Sequence, residues 1–361
     1  MGSMISAMHY CLPDGRLTQE QLESRLNPRQ VRGIAKLSGI LERRVVAVGQ
    51  TAADLAFAAA SGVMKVARVA PESVDLLIFC SQTPDYQIPA TACVLHARLG
   101  LGGRCAAFDI NQGCAAFPYA LATAHAYVSA GLATRALVLN ADTLSTVIHP
   151  LDRGLVTLHG DGACATLVEA SAGGDSGIWA FQLGADGSGW NHICIPASGA
   201  RCPRGSVPEN RKDVVDESGN VRTQEHLAMN GPAVFQFSIQ KVPEVIRAFL
   251  GEQRLAVQDL DLVLLHQANR MMLEQIYRKL EIPPERQFYF SERIGNLGGP
   301  SSAVLLAEAW RMQKLRPGTL TLVTAFGNGL SWGSVLIRWP QLLGPAIDAP
   351  TEYAELMAFL K

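Results

Sequence analysis

The segment Pro71-Glu72-Ser73-Val74-Asp75-Leu76-Leu77-Ile78-Phe79 returns later in the chain as Val257-Gln258-Asp259-Leu260-Asp261-Leu262-Val263-Leu264-Leu265. Each copy reads as the exit from a helix, an Asp-Leu step, and a run of apolar residues of strand length. Working outward, the likeness continues in the same order. Cys114 opens an Ala-rich helical stretch ending near Gly131, followed by the strand Arg135–Leu139. Asn296 precedes an Ala/Leu helix ending before Pro317-Gly318, followed by the strand Thr319–Thr324. Gly160-Asp161-Gly162-Ala163 leads into the strand Cys164–Val168, as Ser331-Trp332-Gly333-Ser334 leads into Val335–Trp339. Any two α/β segments share some pattern, but several matches in one order predict a duplicated α/β unit. The predicted organisation is an N-terminal half over 1–170 carrying Cys114, a connecting insertion over 171–229, a C-terminal half over 230–340 carrying His266 and Asn296, and an extension over 341–361.

Composition narrows the function classes. The chain has 361 residues, 48% of them hydrophobic and 17% charged, enough to bury a large core. Its 31 Lys plus Arg against 32 Asp plus Glu leave a formal charge of −1, so no overall basic excess points to nucleic acid or an anionic membrane. Apolar runs such as Leu76–Cys80 and Leu320–Phe326 are too short to span a bilayer, and Met1–His9 lacks the charged start and long apolar stretch of a secretory signal. A cytoplasmic protein is expected. Eight cysteines occur without a CxxC pair, and Cys80, Cys93 and Cys164 sit inside apolar runs. They read as mostly buried thiols, and no metal site is expected.

Between the halves, Ala197–His226 is rich in Gly, Pro, Ser and charge without a sustained period, the pattern of a long loop or lid. Thr18-Gln19-Glu20-Gln21 reads as a capping box opening a short helix, and Glu352–Leu360 as one short helix within the extension.

The candidates for chemistry lie at predicted strand ends. Phe108–Gly113 reads as strand and turn and Ala115–Ser129 as helix, which puts Cys114 at a helix N-terminus, where unpaired N–H groups favour thiolate over thiol. The plainer alternative is a buried structural cysteine. His266 ends the strand Leu262–Leu265, a position from which an imidazole can shuttle a proton or donate to a developing oxyanion; a packing role is the alternative. His9, His96, His125, His149, His159, His192 and His226 lack such a setting and read as surface or packing residues. Gly295-Asn296-Leu297-Gly298-Gly299 and Phe326-Gly327-Asn328-Gly329 are glycine-flanked turns whose backbone can approach a ligand closely. Neither is a GxGxxG or phosphate-cradling loop, which argues against a nucleotide enzyme.

Taken together, the ordered motifs resemble the β-ketoacyl-acyl-carrier-protein synthase III branch of the thiolase superfamily. The resemblance runs from about Ile5 to Trp339 through Tyr10–Pro13, Ser38–Arg44, Asp109–Tyr119, Asp152-Arg153-Gly154, Gly160–Ala163, His266–Asn269, Gly295-Asn296 and Phe326–Ser334. It implies a five-layered αβαβα thiolase-like fold, a homodimer, and a condensing enzyme that loads an acyl group on Cys114 and joins it to a malonyl thioester with loss of carbon dioxide. By the same resemblance, His266 and Asn296 bind the extender's thioester carbonyl, and the backbone N–H groups of Cys114 and Asn328 form an oxyanion hole. Arg153, Asn269 and Phe326 fall at substrate- or carrier-binding positions, and Ile88 at one that reaches across the dimer into the primer pocket. No cofactor is implied beyond coenzyme A or phosphopantetheine as the thioester carrier, with acyl-coenzyme A or an acyl carrier protein as partner.

The chain also departs from the family pattern. Gly33 stands where coenzyme A users carry an adenine-stacking Trp, although Arg153 is kept; Arg270-Met271 moves a positive charge by one residue; and Leu297–Ser301 replaces a Thr/Ser/Ala-rich turn. These departures point to specialised metabolism. Arg25, Arg29, Arg32, Lys36, Arg43 and Arg44 form a basic N-terminal region that reads either as a docking face for an acidic carrier or as a solvated helix face. Rival readings are an acyltransferase that passes the Cys114-bound group to an oxygen, nitrogen or sulfur nucleophile, and a non-catalytic partner subunit.

Overall fold

A computed structural model describes residues 2–171, 177–339 and 349–361. The first sheet contains β1 (Gly2–Cys11), β2 (Leu76–Cys80), β3 (Ala106–Ile110), β4 (Arg135–Thr143) and β5 (Asp161–Ser171), in the order β1-β5-β4-β2-β3. The second contains β6 (Gly177–Ala185), β7 (Leu262–Leu265), β8 (Leu320–Gly327) and β9 (Ser331–Arg338), in the order β6-β9-β8-β7. The pairing senses match element by element. β1/β5 and β5/β4 are antiparallel and β4/β2 parallel, as β6/β9 and β9/β8 are antiparallel and β8/β7 parallel.

The Asp of the repeated segment has a structural purpose in both halves. Asp75 Oδ2 accepts from the N–H groups of Thr134 and Arg135 at 2.8 and 3.1 Å, where β4 begins. Asp261 Oδ2 accepts from Leu320 N–H at 2.8 Å, where β8 begins. A carboxylate just before one parallel strand thus satisfies backbone donors at the start of its parallel neighbour and sets the register. The apolar residues that follow form strands buried on both faces, as parallel strands between helical layers must be.

The principal helices are α1 (Pro28–Ser38), α2 (Ala52–Ala67), α3 (Thr91–Arg98), α4 (Ala116–Ser129), α5 (Gly231–Glu252), α6 (Arg270–Lys279), α7 (Ser301–Arg311) and α8 (Tyr353–Leu360). They divide into three layers. α2 and α3 cover the outer face of the first sheet, and α5 and α6 that of the second. Between the sheets lie α4 and α7, whose small residues Ala116, Ala120, Ala124, Ala303 and Ala309 are fully buried and let both sheets approach. The result is the five-layered αβαβα order implied by the resemblance. The Thr18 capping box is present and opens the short helix Gln19–Glu23. α8 packs against α2, and the adjoining extension residues 341–348 lie outside the described residues.

Several sequence expectations need correction. β6 falls inside 171–229, assigned above to a connection, yet it is the edge strand of the second sheet. The excursion Ala197–His226 is tied to the body: Gly154 N–H donates to Asn220 Oδ1 at 3.1 Å, and Arg222 pairs with the buried Asp152 at 3.1 Å. All eight cysteines are free, but only Cys11, Cys80 and Cys164 are buried, while Cys93 is exposed on α3. In the basic N-terminal region, Arg43 and Arg44 are buried. Arg43 Nε donates to Thr157 O at 2.7 Å and Arg44 pairs with Glu352, which leaves Arg25, Arg29, Arg32 and Lys36 exposed. No described helix is long and apolar enough to cross a membrane.

Candidate active site

Three loops converge on one cavity of about 380 Å³, two of them at the C-terminal ends of parallel strands. The turn between β3 and α4 brings Cys114, the residue after β7 is His266, and the turn before α7 brings Asn296. All three border the cavity, together with Asn269, Phe326, Gly327 and Asn328. Its remaining walls are largely apolar, with Leu144, Leu155, Leu158, Met229 and Phe235 among them.

Cys114 is held from both halves. Its N–H donates to Oδ1 of Asn328 at 3.1 Å, and a Cβ built on Gly327 would lie 2.6 Å from its Sγ. Glycine at 327 is therefore required for the second half to close over the sulfur. α4 begins at Ala116 with Ala115 as its cap, so Cys114 lies just ahead of the helix. Burial pushes the thiol up to about 11; the N–H groups of Asn328 and Cys114 pull it down, and the Asp142 carboxylate adds to the rise.

His266 stacks edge-on against Phe326, with ring centroids 5.9 Å apart. Burial, and secondarily His159, pushes its pKa down to about 3, so the ring is neutral. Nδ1 is buried without a partner among the described residues, which leaves Nε2 as the nitrogen that meets the cavity. The carboxamide of Asn296 is oriented by its own turn: Oδ1 accepts from Gly298 N–H at 3.0 Å, freeing Nδ2 as a donor. Gly295 and Gly298 adopt positive φ, 81° and 69°, which this turn demands.

A buried carboxylate fastens these loops together. Asp142, at the end of β4, accepts from Gln82 N–H at 2.8 Å through Oδ1 and from Gly299 N–H at 2.8 Å through Oδ2. Burial raises its pKa to about 6, with the hydrogen bonds from Gln82, Gly299, Ser81 and Thr83 opposing the rise.

Two family descriptions match the sequence, 3-oxoacyl-(acyl-carrier-protein) synthase III over residues 108–187 and its C-terminal part over residues 250–339. A β-ketoacyl-(acyl-carrier-protein) synthase III of Streptomyces coelicolor is 34% identical over 339 residues, covering 94% of this chain and 97% of the relative. The chain belongs to the 3-oxoacyl-(acyl-carrier-protein) synthase III family. It is a ketoacyl synthase III-like condensing enzyme, an acyltransferase by class. A synthase III relative from Rhodopirellula baltica is 35% identical over 323 residues, 85% of this chain and 90% of the relative. A solved 3-oxoacyl-(acyl-carrier-protein) synthase III superposes with a TM-score of 0.91 at 36% identity, covering 94% of this chain and all of the other. The priming β-ketosynthase of the R1128 polyketide pathway superposes with a TM-score of 0.83 at 25% identity, covering 94% and 96%.

The other positions singled out from the synthase III pattern divide. Asn269 caps α6, its Oδ1 accepting from Met272 N–H at 2.9 Å, and borders the cavity beside Phe326. Arg153 lies apart from the cavity lining, bonded to Gln30 Oε1 of α1 at 2.5 Å and to Ser218 O at 2.6 Å. Gly33, on the same helix, is exposed, with open space where a side chain would be. Ile88 is also outside the cavity and is 89% exposed. Arg270 stacks over Tyr289, its guanidinium 5.4 Å from the ring centre. Gln82 and His159 border the cavity although no motif drew attention to them. His159 had one available signal, its position directly before Gly160-Asp161-Gly162-Ala163. Among the described residues no group of three His, Cys, Asp or Glu side chains is placed to hold a metal ion.

Proposed function

We propose that Cys114 takes an acyl group from a carrier thioester and that His266 and Asn296 then bind the carbonyl of a malonyl thioester. The observation that carries this reading is that Cys114, the open Nε2 of His266 and the free Nδ2 of Asn296 all meet in one cavity. In the first half-reaction the Cys114 sulfur attacks the incoming thioester, the bond to the carrier sulfur breaks, and the departing carrier thiolate takes up the proton lost from Cys114. The backbone N–H groups of Cys114 and Asn328 hold the oxyanion of that step. In the second, the malonyl carbon–carboxylate bond breaks, carbon dioxide leaves, and the electron pair becomes an enolate whose oxygen accepts from His266 and Asn296. Two neutral donors suit this task because they stabilise the oxygen without protonating the carbon. The carbon attacks the Cys114 thioester, and the Cys114 sulfur leaves and regains a proton.

Acyl-coenzyme A or an acyl carrier protein serves as the carrier, and the thioester arm is the only prosthetic chemistry required. The exposed Arg25, Arg29, Arg32 and Lys36 give an acidic carrier a docking face. The enzyme acts as a homodimer: β3 is an edge strand of the first sheet, and Ile88 projects nearby without cover. The absence of a side chain at Gly33 supports a place in specialised metabolism, and complementation of an initiation-deficient strain by this chain would overturn that assignment.

Intact-mass spectrometry tests the mechanism. Incubation with acyl thioesters adds one acyl mass to Cys114, and subsequent malonyl thioester removes it with release of carbon dioxide. A Cys114→Ala protein that still acquires the acyl mass sinks the acyl-enzyme reading. Discharge of the acyl group to an added alcohol, without carbon dioxide, replaces condensation with simple transfer.

A further inference from the structure

His159 borders two cavities. One, of about 380 Å³, holds Cys114, His266 and Asn296; the other, of about 370 Å³, is lined by Arg16, Gln21, Arg25, Ser145 and Ile148. Among the described residues, no other side chain lines both. On either side of it, neighbours in the sequence line different cavities: Leu144 the first and Ser145 the second, and likewise Leu155 and Val156.

The backbone fixes His159 in this wall. It forms a bridge with Asn296, in which Gly160 N–H donates to Asn296 O at 2.9 Å and Asn296 N–H donates to Leu158 O at 2.8 Å. The ring is fixed as well, since its Nδ1 lies 3.1 Å from Leu155 O and must carry the proton in that bond. Burial lowers its pKa, so the imidazole stays neutral and closes the wall without a charge. An alkyl chain in the first lies against Leu144, Leu155 and Leu158, and beyond the His159 ring the second offers Leu17, Val45, Val46, Ile148 and Val156 beside the guanidinium groups of Arg16 and Arg25.

We propose that His159 is a specificity-determining residue, the end wall that sets how long an acyl chain Cys114 can carry. The inference rests on the acyl-enzyme reading above. Closely packed pockets discriminate single methylenes by roughly tenfold or more, so a wall one ring thick suffices to impose a length limit. Replacing the ring with a methyl group joins the two cavities and removes the limit.

The test is the chain-length profile of acyl loading on Cys114, read by intact mass across a series of saturated acyl thioesters. At the first length that the wild type refuses, His159→Ala loads roughly tenfold faster or more, while His159→Phe, whose ring refills the wall, keeps the wild-type limit. Should His159→Ala fail to fold, His159→Val gives the same direction with a smaller shift. The proposal is overturned if folded Ala or Val variants keep the wild-type profile, or if the Phe variant shifts as they do. Loading that survives Cys114→Ala defeats the underlying acyl-enzyme reading instead, so the two failures are told apart.

Discussion

The N–H of Cys114 donates to Oδ1 of Asn328 at 3.1 Å, so one donor assigned to the oxyanion is engaged by a side chain of this same protein. An incoming thioester oxygen must displace that carboxamide. Asn328→Ala removes the competitor and leaves both backbone N–H groups in place. The expected result is a roughly two- to tenfold faster acylation, the range of one net hydrogen bond, measured in single turnover. A comparable slowing would assign the side chain to holding the turn instead.

Asn296→Asp keeps the acceptor that Gly298 uses and removes the free Nδ2 donor. Decarboxylation and condensation should fall by roughly 10² to 10³, the usual cost of losing one such donor. Acyl loading of Cys114 should stay near wild type. Carbon dioxide release and intact mass, measured on the same sample, separate the two half-reactions.

Asp142 raises the pKa of Cys114 through its charge, secondary to burial. Asp142→Asn deletes that charge, so the Cys114 thiol should ionise at lower pH. Alkylation rate against pH reports the midpoint, expected at about 11 in the wild-type enzyme and lower in the variant. A wild-type midpoint below the ordinary thiol value of 9.0 would mean that the helix terminus outweighs burial.

A Cβ at position 327 would fall 2.6 Å from both Cβ and Sγ of Cys114. Gly327→Ala should therefore abolish acyl loading. A thermal melt close to wild type would locate the damage at the sulfur, whereas a large drop in melting temperature would place it in the contact between the halves.

His9, remote from the cavity, is buried with Nε2 donating to Pro350 O at 3.1 Å, and burial pushes its pKa down to about 4 from 6.5. The folded state stores the neutral ring, and between those values only the unfolded chain takes up the proton. Its stabilising contribution is therefore complete above 6.5 and is lost as the pH falls toward 4. On going from about pH 7.5 to about pH 4, the wild type should lose roughly 3 kcal/mol more than His9→Gln. Denaturant titrations at the two pH values provide the check.

The duplication was readable because each half repeats an Asp that caps the neighbouring strand and an apolar run that must be buried on both faces. β6 escaped notice because only Gly177 and Ile178 are fully buried, while Trp179, Gly184 and the partly exposed Gln182 break the strand pattern. Cys114, His266 and Asn296 were legible from local context, since the first two follow strands and Asn296 sits in a glycine-flanked turn before a helix. His159 was not, because its place in the cavity wall depends on pairing with Asn296, far away in the sequence. The close approach of Gly327 to the Cys114 sulfur was not legible either, because it joins two segments far apart in the sequence, whereas the helix that follows Cys114 is a local feature.

Asp142 joins Gln82, beside the Cys114 turn, to Gly299, beside Asn296, and α4 and α7 are packed against both sheets in one continuous core. The seam between the halves is thus a weld rather than a hinge. Swinging the two halves apart would break the Asp142 bridge and part this shared core, so the passage of a thioester arm has to be accommodated without it.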